Sequence, residues 1–175
     1  MGDILTEREL EFDFRSAILS CQLDKQGNHK MAHCMKAVDF IVEWPNEFWF
    51  VEVKDPSFSG IPNNLKSKQI NEFVDKIKNR TLFSHELGPK LKDSFLYLYL
   101  GDQLPSKTLK YFVLLTIPLD DSSGFLSFCT DELKRSCCLL GPENSTWHNQ
   151  YITDVLIFNE HSWNHFLSYC PVKRL

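Results

Sequence analysis

Asp39, Glu52 and Lys54 are two carboxylates and an amine that a single chain reversal can bring together. Lys36 to Trp44 and Glu47 to Lys54 read as strands, the second around the strand-forming run Phe48-Trp49-Phe50-Val51. Pro45 and Asn46 lie between them, and Pro followed by Asn suits the centre of a type I turn. With those two residues as the loop, Trp44 faces Glu47, Val42 faces Trp49, Phe40 faces Val51, and Asp39 sits opposite Glu52. Opposed residues have Cβ atoms about 4.5–5.5 Å apart. Lys54 projects from the same face as Glu52, because side chains alternate along a strand. The reverse face, Val38, Phe40, Val42, Trp49, Val51 and Val53, must be buried, and Ile41 and Phe50 make the acidic face apolar in its middle. The polar trio is therefore expected at one end of a sheet covered on both sides.

Two carboxylates at about 5 Å repel by roughly 3 kcal/mol at an effective dielectric of about 20. Lys54 offsets part of this and leaves the trio negative. Hard oxygen donors on a rigid edge suit Mg²⁺ or Mn²⁺, with Asp39, Glu52 and the Val53 carbonyl as ligands. Such a metal acidifies a bound water and neutralises charge on a phosphodiester, and an ammonium beside that water orients it or stabilises developing charge. The competing reading is a structural ion trio. A second E-x-K, Glu132-x-Lys134, has no paired acid and is read as a solvated helix face.

The surrounding elements must hold that trio. A first helix is expected from about residue 6 to 20, with Thr6 and Glu9 as a capping box and Leu10, Phe14, Ala17, Ile18 and Cys21 on one face. Gln26-Gly27-Asn28 marks a turn. After the two strands, residues 63–80 read as a helix on the stripe Ile70, Phe73, Val74 and Ile77. Gly88-Pro89 is a break, and residues 91–100 are open between helix and strand. Lys110 to Ile117 is a buried strand, 130–140 a short helix, Tyr151 to Phe158 a strand and Ser162 to Tyr169 a closing helix, with loops at 120–124 and 141–146. Helix, strand, strand, helix, strand, helix, strand, helix implies an α/β class with a mixed central sheet flanked by helices. Neither a repeat nor a long linker divides the chain, so residues 1–175 are expected to form a single domain.

Asp39-x12-Glu52-x-Lys54 on a hairpin between helices resembles the PD-(D/E)XK (restriction-endonuclease-like) nuclease superfamily. The motif covers residues 6–80, and the order of elements extends the resemblance to residue 170. It implies a metal-dependent hydrolase acting on DNA, with Asp39 and Glu52 binding the metal, Lys54 assisting the water, and products carrying 5′-phosphates. An acid of the first helix often completes such sites, and Glu11 is the expected one because it borders the buried stripe. Val38 stands where the family often has Pro. Gln69-x3-Phe73 resembles the Q-x-x-x-Y element of RecB-like members, with Phe in place of Tyr.

Residues 61–92 carry seven Lys or Arg against three Asp or Glu. Lys66, Lys68, Gln69 and Lys76 are accordingly the expected nucleic-acid contacts, against the alternative of a solvated amphipathic face. Overall, 19 basic and 23 acidic residues give a formal charge of −4. That excludes indiscriminate phosphate coating and leaves room for a local site. No apolar run is long enough to span a membrane and the N-terminus lacks a signal's apolar core, so a cytoplasmic protein with reduced, mostly buried thiols is expected. The pair Cys137-Cys138 is read as a small helical hydrophobe. His29/His33 and His161/His165 have helical metal spacing without the accompanying Glu and are read as ordinary histidines. Trp44 and Trp49 are expected in the core. Walker and nucleophile-elbow motifs are missing. Double-strand cutting would call for two sites, hence a homodimer or partner subunit. The alternative function is a non-catalytic subunit on the same fold, binding nucleic acid or protein within a larger complex; a third is a purely structural partner.

Overall fold

The N-terminal segment is strand, which corrects the expected helix over 6–20. Strands β1 (Ile4–Glu7) and β2 (Leu10–Asp13) form a hairpin whose turn places Arg8 in the left-handed region, φ 54°. The physical reason is Phe12. Leu10, Phe12 and Phe14 alternate with Glu11 and Asp13 and are all fully buried, whereas a helix on the Leu10–Phe14–Ile18 stripe would leave Phe12 off its apolar face. Burying one such ring stabilises by about 1.5–3 kcal/mol, more than a capping box typically offers, about 1 kcal/mol. Ile18, counted in the helical stripe, is exposed. Glu9 caps nothing: its carboxylate accepts from the Ser59 amide at 2.9 Å and from the Ser59 hydroxyl.

The computed structural model describes residues 1–25, 31, 34–117, 123–139, 141 and 151–175. The expected turn at 26–28, His29, His33 and Trp147 lie outside the described residues, as does most of the loops expected at 120–124 and 141–146. Strand β3 (Leu19–Gln22) precedes the hairpin of β4 (Phe40–Glu43) and β5 (Glu47–Lys54). The reversal forms at Pro45-Asn46, with the Trp44 amide donating to the Glu47 carbonyl at 2.8 Å. Phe40 pairs with Val51, Ile41 with Phe50 and Val42 with Trp49, the register the sequence requires. The first strand starts at Phe40 rather than Lys36, because the Val38 amide is taken by the Ser94 hydroxyl at 2.9 Å.

Helix α1 (Asn63–Lys78) is followed by a π-helical turn, Leu82–Leu87, that runs directly into α2 (Gly88–Leu100). Gly88-Pro89 therefore does not break the chain. Pro89 lies in the first turn of α2, where a missing N–H costs nothing and its fixed φ is already helical. Gly88 is required by packing: a Cβ there would meet the Phe83 carbonyl at 3.0 Å and the Ser136 carbonyl at 3.3 Å. Strand β6 (Thr108–Leu115), helix α3 (Ser123–Ser136), strand β7 (Asp154–Phe158), helix α4 (Glu160–Phe166) and strand β8 (Val172–Arg174) complete the order.

The fold is mixed α/β. Its five-stranded sheet runs β3-β4-β5-β6-β7, antiparallel across β3, β4 and β5 and parallel across β5, β6 and β7. One face carries Ile41, Phe50, Tyr111 and Val113 against Ile77, Phe83, Leu91 and Leu133 of the helices. The other carries Phe40, Trp49, Val51 and Phe112 against Trp163 and the antiparallel sheet β1-β2-β8. Trp44 and Trp49 are core residues as expected, while Val38 joins the helical layer instead of the opposite one. The six cysteines are unbridged; Cys129, Cys137 and Cys170 are buried, Cys34 and Cys138 exposed. Among the described residues no helix is long and apolar enough to cross a membrane.

Candidate functional site

Asp39 immediately precedes β4. Its carbonyl accepts from the Leu23 amide at 2.8 Å, which extends the β3–β4 ladder past its last strand pair. Its side chain reaches the other way, and Oδ2 accepts from the Val53 amide at 2.6 Å. A carboxylate thus supplies the bond a strand neighbour would otherwise make, and Oδ1 remains free of that role. The Val53 amide is tied to Asp39, which places the expected metal-ligating residue next to the acid.

Glu52 is fully buried and Asp39 nearly so, at 0 and 4% exposure. Both lie on the side of β5 that faces the helices. Lys54 Nζ stands 3.1 Å from Glu52 Oε1 and 3.5 Å from Glu86 Oε2 of the π-helical turn. The three residues read from the sequence therefore converge. The residue missed was Lys90. Its ammonium lies 3.1 Å from Asp39 Oδ1 and 2.7 and 2.8 Å from the two oxygens of Glu52. Glu52 Oε1 touches two ammonium groups but has no hydrogen bond of proper direction. Burial first, then the Asp39 charge, pushes the Glu52 carboxyl up to about 7, against the pull of Lys90 and Lys54. Burial works against the Lys90 ammonium, but the Glu52 and Asp39 carboxylates outweigh it and hold the group above the usual lysine range.

Two further acids stand beside Asp39. One carboxylate oxygen each from Glu7, Asp24 and Asp39 lies within 4.8 Å of the others. Glu7 ends β1, and its Oε2 accepts from the Gln22 amide nitrogen at 3.3 Å. Burial raises both Glu7 and Asp24, and the Asp39 charge adds to each shift. Glu11, the acid expected to complete the site, does not do so: it pairs with Lys173 at 2.9 Å across the small sheet. Strand alternation is the reason. In a hairpin Glu7 and Glu11 belong to different strands, and only Glu7 stands next to Asp39. The alternation of Leu10, Phe12 and Phe14 was the signal that could have found it. Lys90 carries no such signal, because 36 or more residues separate it from the motif and only tertiary packing joins them.

Three of the four expected nucleic-acid contacts divide between two clefts. Gln69 and Lys76 line a cleft of about 300 Å³ with Lys54, Arg8, Phe73 and Glu86. Lys76 is paired there with Glu86 at 2.8 Å. Lys66 lies in a different cleft, with Arg174, Glu160 and His161. Lys68 is exposed and 3.8 Å from Glu72. Glu132 of the second E-x-K is buried, not solvated, because Arg80 at 3.0 Å and Arg135 at 2.7 Å cover it. Lys134 points to Asp154 instead, at 3.2 Å, so that copy gathers no carboxylate pair.

The donor set fits a hard divalent cation. Asp39 and Glu52 turn oxygens toward one cation-sized point, now held by an ammonium, and Glu52 Oε1 is a buried carboxyl oxygen lacking a directed donor. Compared with known proteins, the chain matches no family model, no curated protein and no solved structure.

Proposed function

We propose that this chain is a metal-dependent nuclease that hydrolyses phosphodiester bonds in DNA on a PD-(D/E)XK-like fold. One observation carries the reading: Asp39, immediately before β4, and Glu52 of β5 share a single cation within about 3 Å, with Lys54 beside Glu52. The order of β3, β4, β5, helices and parallel β6 supports it at the level of topology. In this reading the N-terminal hairpin substitutes for the family's first helix, and Glu7 for the helix acid.

Asp39 and Glu52 would hold Mg²⁺ or Mn²⁺, which supplies Lewis acidity and an acidified water. Lys54 orients the attacking water and stabilises charge on the phosphorane oxygens as the P–O bond to the 3′ oxygen breaks, leaving a 5′-phosphate. Glu86 steadies Lys54 from the far side. The cleft lined by Arg8, Gln69, Phe73 and Lys76 opens on Lys54 and is where the strand would lie.

A second reading has one observation in its favour. Lys90 already neutralises the carboxylates, as a non-catalytic nuclease-fold subunit would need. Cleavage of linear and circular DNA with Mg²⁺, Mn²⁺ or EDTA separates the two. Cutting that requires metal and is lost in Asp39→Ala and Lys54→Ala supports the nuclease. DNA bound but uncut supports the subunit, and cutting that survives both substitutions overturns the assignment of the site.

A further inference from the structure

We propose that Lys90 is a movable internal counter-ion: it holds Asp39 and Glu52 together in the metal-free protein, yields its place to a divalent cation, and swings to the Glu7–Asp24 pair. The inference rests on the metal reading above. Lys90 Nζ contacts one oxygen of Asp39 and both of Glu52, at 2.7–3.1 Å, so it fills the point toward which a metal's ligands would converge. Two cations cannot occupy that point, because at van der Waals separation their repulsion in a buried site is several-fold larger than in water.

The displaced ammonium has a destination. One carboxylate oxygen each of Glu7, Asp24 and Asp39 already lies within 4.8 Å of the others, and the Lys90 charge favours the ionised forms of both Glu7 and Asp24. Asp39 belongs to both groups, so the transfer is a short swing about one shared carboxylate. Lysine suits the task, being a flexible stem with a compact charge. Its root is fixed: Lys90 sits in the first turn of α2, which Gly88 packs against the end of α3. The Lys90 side chain is 19% exposed, so its head lies near the surface rather than sealed in the core. Glu7 and Asp24 are thereby a receiving site for the lysine rather than ligands of a second ion.

The test is a double-mutant cycle read as the Mn²⁺ dissociation constant by calorimetry. Lys90→Met should tighten Mn²⁺ binding about tenfold or more, since no ammonium has to leave. Glu7→Gln/Asp24→Asn should weaken binding about tenfold in the wild-type background and leave it unchanged in Lys90→Met. Unchanged or weaker binding in Lys90→Met overturns the proposal. An equal loss from Glu7→Gln/Asp24→Asn in both backgrounds also overturns it, because those acids would then be metal ligands. Lys90→Met leaves two acids uncompensated, so wild-type protein supplies an independent measurement: amine labelling of Lys90 should rise several-fold with Mn²⁺, and labelling that stays constant at saturating Mn²⁺ overturns the proposal. If wild type binds Mn²⁺ and the cycle fails, only the counter-ion role falls; if no variant binds Mn²⁺, the metal reading falls with it.

Discussion

The Val53 amide donates to Asp39 Oδ2 at 2.6 Å, so the residue before β4 is pinned to the strand that carries Glu52 and Lys54. The pin is both structural and chemical. It fixes the rotamer of Asp39 and leaves Oδ1 directed at the shared cation, 3.1 Å from Lys90 Nζ.

Asp39 can therefore be divided by substitution. Asp39→Ala removes the acceptor of a buried amide and should cost about 1–3 kcal/mol of stability, measured by urea unfolding. Asp39→Asn keeps an oxygen for the Val53 amide and should recover most of that loss, while DNA cleavage falls at least a hundredfold in both. Equal stability of the two variants would show that the pin contributes nothing.

The Glu52 carboxyl sets a pH dependence. Its pKa is raised from 4.5 to about 7 on folding. Between those values the folded protein keeps a proton that the unfolded chain has released, so stability declines as pH rises from about 4.5 to about 7 and then levels off. At about 1.4 kcal/mol per pKa unit the decline is of order 3 kcal/mol at most. Glu7 and Asp24, shifted the same way, add to it. Denaturant unfolding across this range should show the decline in wild type and a shallower one in Glu52→Gln. Parallel curves would contradict the assignment.

Glu7 and Glu11 make a paired test of the N-terminal hairpin. Glu11→Ala breaks a partly exposed pair with Lys173 and should change stability by less than about 1 kcal/mol, with cleavage unchanged. Glu7→Ala should lower cleavage about tenfold or more. The reverse order of effects would place the site acid on the other strand.

Phe12 tests the same segment through its core. It packs edge-on against Phe40 and Trp163 at ring separations of 5.3 Å. Phe12→Ala should cost about 3–5 kcal/mol, seen as a lowered denaturation midpoint. A loss near zero would mean the ring is solvent-facing, as on the polar side of a helix.

These residues mark what the sequence made legible. The β4–β5 register was readable because Pro45-Asn46 admits one tight reversal and a slip would have turned an apolar face outward. Asp39, Glu52 and Lys54 followed from that register. Residues 6–20 misled because Leu10, Phe14 and Ile18 satisfy a helical period while Leu10, Phe12 and Phe14 satisfy a strand period. The choice was made by a partner sheet, β8 and the β5 face, lying far along the chain. Lys90 was hidden for a different reason: a lysine in a basic stretch resembles its neighbours until packing sets it against two carboxylates. Glu132 shows the converse, an E-x-K whose acid is buried by two arginines from separate turns.

The most direct measurement is anomalous diffraction at the manganese edge from crystals grown with Mn²⁺. The expected result is one strong peak within about 2.5 Å of Asp39 Oδ1 and a Glu52 oxygen, with the Lys90 ammonium moved away from that point. Lys90 Nζ still seated between Asp39 and Glu52 at saturating Mn²⁺, with no peak beside them, would contradict the metal-dependent account.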